Sequence, residues 1–247
     1  MGSDATRERI LRATAIEIAR HGFKGASLRG VAERADIKAA SIFHYFPAGK
    51  DELTRAMLAH IMEIIATRMT PTIQASSELP ATDLIVQCWT GGTLTPPQSA
   101  GLRKAVHAGT GLAGWHGGLV ATFDDDHEYL RMVGGLFLWH PAEFLDHKVR
   151  IEPEHAGHPI VAGIEDFTVH TEQYWMLTDA RNRTLATTIV EPPDGGQGDG
   201  PVAMPVVWTR QWGSGRIFFS AIGHRLEDLE QPEVRTLTAR GLAWASR

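Results

Sequence analysis

Over the first part of the chain, apolar residues recur at three- and four-residue steps, the spacing that lines one face of a helix. Ile10, Leu11, Ala15, Ile18 and Ala19 predict a helix over Arg7–Arg20, ended by His21-Gly22. Ser27 then offers an N-cap for a short helix, Leu28–Ala35, with Leu28, Val31 and Ala32 facing inward. Asp36-Ile37 forms a turn, a third helix follows over Lys38–Phe46, and Pro47 stops it. Lys50 to about Met69 predicts a fourth helix, with Leu53, Met57, Leu58, Ile61 and Ile65 on one face. Two short helices joined by a tight turn make a helix-turn-helix.

Past residue 80 the pattern changes to short apolar runs separated by turn residues. Asp83–Trp89 reads as a strand, and Thr95 caps a helix containing Gln98, Leu102 and Val106. Gly109–Gly118 is a small, apolar run ending in Trp115-His116-Gly117-Gly118. It predicts a buried strand entering a sharp turn, because glycine admits the positive φ such a turn needs. Met132–Pro141, a strand at Val149–Ile151, and Phe167–Trp175 follow. Met204–Arg210 and Arg216–Ile222 form a hairpin around Trp212-Gly213-Ser214-Gly215. Pro192–Pro201 is a glycine-rich loop, and Pro232–Ala245 a closing helix. Alternating strands and helices predict an α/β domain with parallel strands.

Ligands of open α/β sheets bind beyond the carboxyl ends of strands. The polar residues predicted there are His116, His140, Glu172, Tyr174 and His224, a candidate ligand-binding or catalytic set. Three imidazoles and a carboxylate suit acid–base work or a metal. The histidines lack short metal-motif spacing, so no cofactor is assigned and the metal stays an open alternative. Separate turn-capping residues around a cleft would give the same pattern. His107, His127, His147 and His155 read as surface residues.

Charge divides the chain in the same place. Residues 1–70 carry 11 Lys+Arg against 8 Asp+Glu, and the remainder 13 against 21. All seven tryptophans lie at or after Trp89. The break predicts a helical domain over residues 1–70, a linker over 71–80 within the Pro/Ser/Thr-rich Thr70–Pro80 stretch, and an α/β domain over 81–247. The one cysteine, Cys88, excludes a disulfide framework and a Cys-rich metal site, and fits a cytoplasmic protein. The uncharged stretch Leu84–Leu102 is broken by Gly91, Gly92, Pro96 and Pro97, which excludes a membrane span there, and charged Met1–Arg12 is no signal peptide.

Ala26-Ser27-Leu28-Arg29-Gly30-Val31-Ala32, Ile37 to Phe46, and Lys50-Asp51-Glu52-Leu53 together resemble the TetR family of transcriptional regulators. The resemblance implies double-stranded DNA as partner, with the third helix in the major groove. Ser27, Lys38, Ala39, Ser41, Phe43, His44 and Lys50 are the residues placed on DNA: Ser27 and Lys50 on phosphates, Phe43 on a thymine methyl or sugar edge. The excess of three positive charges is modest for a DNA binder, so a homodimer is expected.

Gly111 to Gly118, Val133 to Phe137, His140-Pro141, His158-Pro159-Ile160, Glu172-Gln173-Tyr174, Met204 to Trp208 and Gly215 to His224 resemble the ThuA-like family, a flavodoxin-like branch of the class I glutamine amidotransferase-like fold tied to trehalose utilisation. Two departures stand out. Amidotransferases place a cysteine nucleophile at the sharp turn that Trp115-His116 occupies here, and Cys88 reads instead as a buried thiol on an apolar strand. The family's opening strands are also missing, which leaves the domain incomplete at its start, with apolar edges near Leu84–Trp89 and Leu112–Ala113. The expectation is a DNA-binding regulator whose ThuA-like domain senses a sugar-related ligand. The alternative is a sugar-metabolism enzyme carrying an accessory DNA-binding head. The missing cysteine argues against amidotransferase chemistry.

Overall fold

Caps and apolar spacing set the first helices where the sequence puts them. The computed structural model describes residues 2–64, 82–141, 144–192 and 200–246, and its contacts divide the chain into Met1–Arg68 and Met69–Arg247. In the first unit, α1 (Gly2–Gly25) and α2 (Leu28–Arg34) lead to α3 (Ala39–Tyr45) and α4 (Lys50–Ile64). The Ser27 side chain accepts the Gly30 N–H at 3.0 Å, capping α2. Ile10, Leu11, Ile18, Val31, Ala32, Ile42, Phe46, Leu53 and Met57 form the small core.

α1 does not stop at His21-Gly22 but continues to Gly25. A glycine inside a helix costs only about 1 kcal/mol, less than one well-buried side chain contributes. The predicted linker, Thr70–Pro80, lies outside the described residues. So do Ile65 and the rest of the predicted fourth helix, and residues 193–199 of the glycine-rich loop.

The second unit holds β1 (Leu84–Gln87), α5 (Pro96–His107), β2 (Gly111–Trp115), α6 (Gly117–Val120), α7 (His127–Val133), β3 (Gly135–Trp139), β4 (Leu145–Ile151), β5 (Phe167–Thr171), β6 (Trp175–Thr178), β7 (Arg183–Val190), β8 (Val202–Trp212), β9 (Gly215–Ser220), α8 (Leu226–Glu230) and α9 (Pro232–Ala245). Seven strands form one sheet in the order β1-β2-β9-β8-β7-β4-β5, while β3 and β6 pair separately. Parallel pairing is confined to β1, β2 and β9; the other pairs of the large sheet are antiparallel. β1 ends at Gln87, so Cys88 lies one residue beyond the strand rather than on it. Leu112 and Ala113 are interior, not an edge, because β2 lies between β1 and β9.

The core covers both faces of the β8–β9 hairpin. Trp208 and Phe219 sit opposite one another with ring centroids 4.1 Å apart, and the Trp208 indole N–H donates to Val133 O at the end of α7. Phe218, on the other face by strand alternation, packs under α9 so closely that a Cβ on Gly241 would fall 2.3 Å from its ring.

The sheet curls. β2 and β5 are five strand positions apart, about 24 Å in a flat sheet at 4.8 Å per strand. Yet His116, which follows β2, lies 2.9 Å from Glu172, which follows β5. The segment after β9 fastens the two ends. Asp228 of α8 accepts from the Thr171 hydroxyl at 2.7 Å, Arg225 donates to His170 O at 3.1 Å, and Gln231 donates to Thr168 O at 2.8 Å.

Candidate functional site

In the helical unit, α3 turns one face to solvent. Lys38, Ala39, Phe43 and His44 are exposed, and Phe43 keeps 51% of its surface. Ser41, Tyr45 and Lys50 are half-buried, while Ile42 and Phe46 are buried. Folding therefore uses Ile42 and Phe46 and leaves the Phe43 ring over. Ser27 spends one acceptor position on its cap bond to Gly30, with the hydroxyl proton still able to donate.

In the α/β unit, β2 runs directly into α6, and the single residue between them is His116, at φ 52° and ψ −144°. A non-glycine residue held there carries strain of order 1–3 kcal/mol, which the surroundings must offset. They do so by close packing. A Cβ on Gly118 would fall 2.7 Å from Cys88 Cα, so α6 sits against the end of β1. Gln87, buried, donates to Gly118 O at 3.0 Å and lies 2.6 Å from the Tyr129 hydroxyl, which donates to Leu119 O at 2.8 Å. The Thr122 hydroxyl donates to Gly117 O at 2.9 Å.

The structure brings all five polar candidates together. His116 Nε2 lies 2.9 Å from Glu172 Oε2, His224 Nδ1 3.1 Å from Glu172 Oε1, and His140 Nε2 3.7 Å from the same Oε1. The Tyr174 hydroxyl lies 2.9 Å from His116 Nδ1 and also accepts the Gly117 N–H. Side-chain exposure grades outward: 12% for Glu172, 15% for His116, 30% for His140 and 39% for His224. Burial pushes the His116 imidazole down to about 4, against the pull of the Glu172 carboxylate, so the ring is neutral at pH 7. Burial raises the Tyr174 phenol, which stays protonated. A neutral imidazole between a carboxylate and a phenol can pass a proton either way.

Some parts of this site carried no mark in the sequence. Phe137 packs on Tyr174 at 4.4 Å between centroids, and Phe144 on His224 at 5.2 Å. Phe137 ends the Val133–Phe137 stretch and precedes His140 by three positions, which marks the strand but not the ring's place beside Tyr174. Arg225 lies over the Phe144 ring at 4.1 Å, and Asp228 holds Thr171 next to Glu172. Arginine is not a favoured N-cap residue, so the α8 turn that positions both gave no signal. His147 is buried in β4 rather than on the surface, because strand alternation turns it inward between Asp146 and Lys148. Cys88 is half-buried near α6, and burial pushes its thiol up to about 12.

Residues 41–245 match the ThuA family, described as trehalose utilisation, and residues 10–57 match the bacterial regulatory proteins of the tetR family. The matches overlap over residues 41–57. Among solved structures, a ThuA-like protein from Parabacteroides merdae ATCC 43184 has a TM-score of 0.55 at 19% identity, over 70% of this chain and 75% of that one. A ThuA-like protein from Bacteroides uniformis ATCC 8492 gives 0.52 at 17%, over 66% and 69%. A cytoplasmic protein from Salmonella typhimurium LT2 gives 0.53 at 15%, over 74% and 79%. At such identities the likeness is one of fold. No curated protein matches the sequence. No helix among the described residues is long and apolar enough to cross a membrane.

Proposed function

This chain belongs to the ThuA family and carries a TetR-type N-terminal domain, and we propose that it is a DNA-binding transcriptional regulator whose ThuA domain takes a sugar-type ligand. In this reading residues 1–70 are the DNA-binding domain, 71–80 the linker and 81–247 the ligand domain. The observation that carries the regulator is the solvent face of α3, where Lys38, Ala39, Phe43 and His44 stand clear of the core. Lys38 and Lys50 take phosphates, Ser27 and Ser41 donate to them, and Phe43 reaches the groove wall. One short helix reads one half-site, so two heads are needed, and the working form is a homodimer on a palindromic operator. Such a protein acts in the cytoplasm, where duplex DNA is.

The ligand reading rests on the convergence of His116, His140, Glu172, Tyr174 and His224 at strand ends. Imidazoles, a carboxylate and a phenol are both donors and acceptors, as a polyhydroxylated ligand requires. The rings of Phe137 and Phe144 supply apolar surface beside them. The test is a gel shift on duplex DNA flanking the gene, with and without trehalose or its component sugar. Duplex retention that changes with sugar supports the proposal; no retention at low salt removes the regulator, and retention indifferent to every sugar removes the sensor.

One observation favours a second reading, a sugar-metabolism enzyme with an accessory DNA-binding head. The neutral His116 between Glu172 and Tyr174 is arranged as a general base is. Consumption of a sugar substrate, lost in Glu172→Gln, distinguishes it from sensing.

A further inference from the structure

The same cluster supports a more specific assignment, which rests on the reading that it is a ligand site. We propose that His116, Glu172 and His224 hold a divalent transition-metal cation, and that its remaining positions receive water or neighbouring hydroxyls of the sugar-type ligand.

Geometry carries the inference. One ligand atom from each of the three residues lies within 4.8 Å of the others. Ligands about 2.0–2.2 Å from a tetrahedral ion sit roughly 3.3 Å apart. His116 and His224 approach the Glu172 carboxylate at 2.9 Å and 3.1 Å, so small side-chain shifts suffice. Two imidazoles and a carboxylate form a borderline donor set, suited to Zn²⁺, Mn²⁺, Fe²⁺ or Co²⁺ rather than Ca²⁺.

The surroundings also match what a metal-binding imidazole needs. With a cation on Nε2, the His116 proton sits on Nδ1 and donates to the Tyr174 hydroxyl, 2.9 Å away. Asp228 holds Thr171, the residue before Glu172, through a 2.7 Å hydrogen bond. One side of the cluster is open, since His224 and His140 keep 39% and 30% of their side-chain surface. A cation bound there meets solvent on that side, where it keeps positions for oxygen ligands. His140, whose Nε2 is 3.7 Å from Glu172, stands where it would hydrogen-bond a metal-bound water or hydroxyl.

The test uses the full chain without an affinity tag, stripped by chelator, and Zn²⁺ or Co²⁺ as the probe. Titration calorimetry should give one tight site per chain, and Co²⁺ should produce the visible bands of nitrogen coordination. Tyr174→Phe should weaken binding roughly 10–100-fold, as loss of an imidazole's outer partner does. Glu172→Gln and His224→Gln should weaken it further. His127→Gln, at an exposed imidazole in α7, should change nothing. Circular dichroism checks each fold, and His224→Gln at the exposed rim stays informative should Glu172→Gln unfold. The inference fails with no stoichiometric binding, or with binding that survives both substitutions. Sugar binding by stripped protein that takes up no metal would overturn the metal and keep the ligand site. Metal uptake without sugar binding would do the reverse.

Discussion

The thiol of Cys88 should be slow to react in the folded protein, although it lies close to the turn that carries His116. A thiol of ordinary pKa 9 is about 9% thiolate at pH 8, whereas one pushed up to about 12 is ionised to about 1 part in 10⁴. Only the thiolate attacks a disulfide reagent. Its roughly 10³-fold smaller fraction is partly offset by the greater nucleophilicity of a more basic thiolate, so the native chain should react about 30–60-fold more slowly than the chain unfolded in urea, and slower still where access is restricted. The same shift has a stability consequence. The folded state holds its thiol proton more tightly, so Cys88 contributes nothing adverse below pH 9. Above it the unfolded chain loses the proton first, and stability falls by about 1.4 kcal/mol per pH unit until the folded group titrates. The assay is labelling with a chromogenic disulfide at pH 8, native against unfolded, followed by urea melts at pH 8 and pH 10.5 for wild type and Cys88→Ser. Tryptophan fluorescence is the readout, since all seven tryptophans lie at or after Trp89. Cys88→Ser should lose about 2 kcal/mol less than wild type on going to the higher pH. Labelling as fast in the native as in the unfolded chain would refute the reasoning. So would glutamine hydrolysis that Cys88→Ser abolishes, because it would make this thiol a nucleophile.

The remaining expectations concern both parts of the chain. Lys38→Ala should weaken duplex binding across all sequences and reduce the slope of log affinity against log salt by about 0.9, read by gel shifts at several salt concentrations. Phe43→Ala should weaken DNA binding with only a small change in the thermal midpoint, because the residue is 51% exposed. Ser27→Ala removes the 3.0 Å cap bond to Gly30 and should cost the helical domain about 1 kcal/mol in a circular-dichroism melt. Gly118→Ala drives a Cβ to 2.7 Å from Cys88 Cα, backbone that cannot swing aside, and should destabilise the ThuA domain by about 1–3 kcal/mol in the fluorescence-detected urea melt. Sedimentation at micromolar concentration should give a mass near twice 27.1 kDa, and a clean monomer would contradict the dimer.

Elements with a local signature were legible. The Ser27 cap, the Thr95–Gln98 pair at the start of α5, and the hairpin turn at Gly213-Ser214 all form where residue type alone predicts them. The elbow at His116 was legible from its glycines but for a different reason than expected: the positive φ falls on His116 itself, while Gly114, Gly117 and Gly118 serve close approach. Elements whose evidence is tertiary were not. β7, Arg183–Val190, alternates imperfectly and makes sense only once β8 and β4 flank it. His147 read as polar surface because its residue type was weighed alone; the alternation of Leu145, Val149 and Ile151 with Asp146, Lys148 and Arg150 puts it on the apolar face, and that signal was missed. The end of α1 was misread because a glycine was taken as a stop signal, whereas inside a helix it costs only about 1 kcal/mol.

The five polar candidates form a set in the sequence because each stands at a strand end, where open α/β sheets bind ligands; which of them touch is not written there. What makes them meet is the curl of the sheet. A fully parallel doubly wound sheet would carry its strand-end residues along one rim, where β2 and β5 stay strands apart. Here β8, β7, β4 and β5 reverse direction in turn and twist as they go, which returns the end of β5 to the rim where β2 and β9 finish. The clasp from Asp228 and Arg225 to β5 then fixes Glu172 between His116 and His224. The site is therefore a property of the curl, and a substitution that loosens the clasp should disperse it without touching any of the five residues. Asp228→Asn keeps the shape of the side chain and removes the charge that faces Arg225. It should loosen Glu172 against the two histidines, visible as weakened ligand or metal binding, with a fall in the melting midpoint because Asp228 is buried and faces Arg225.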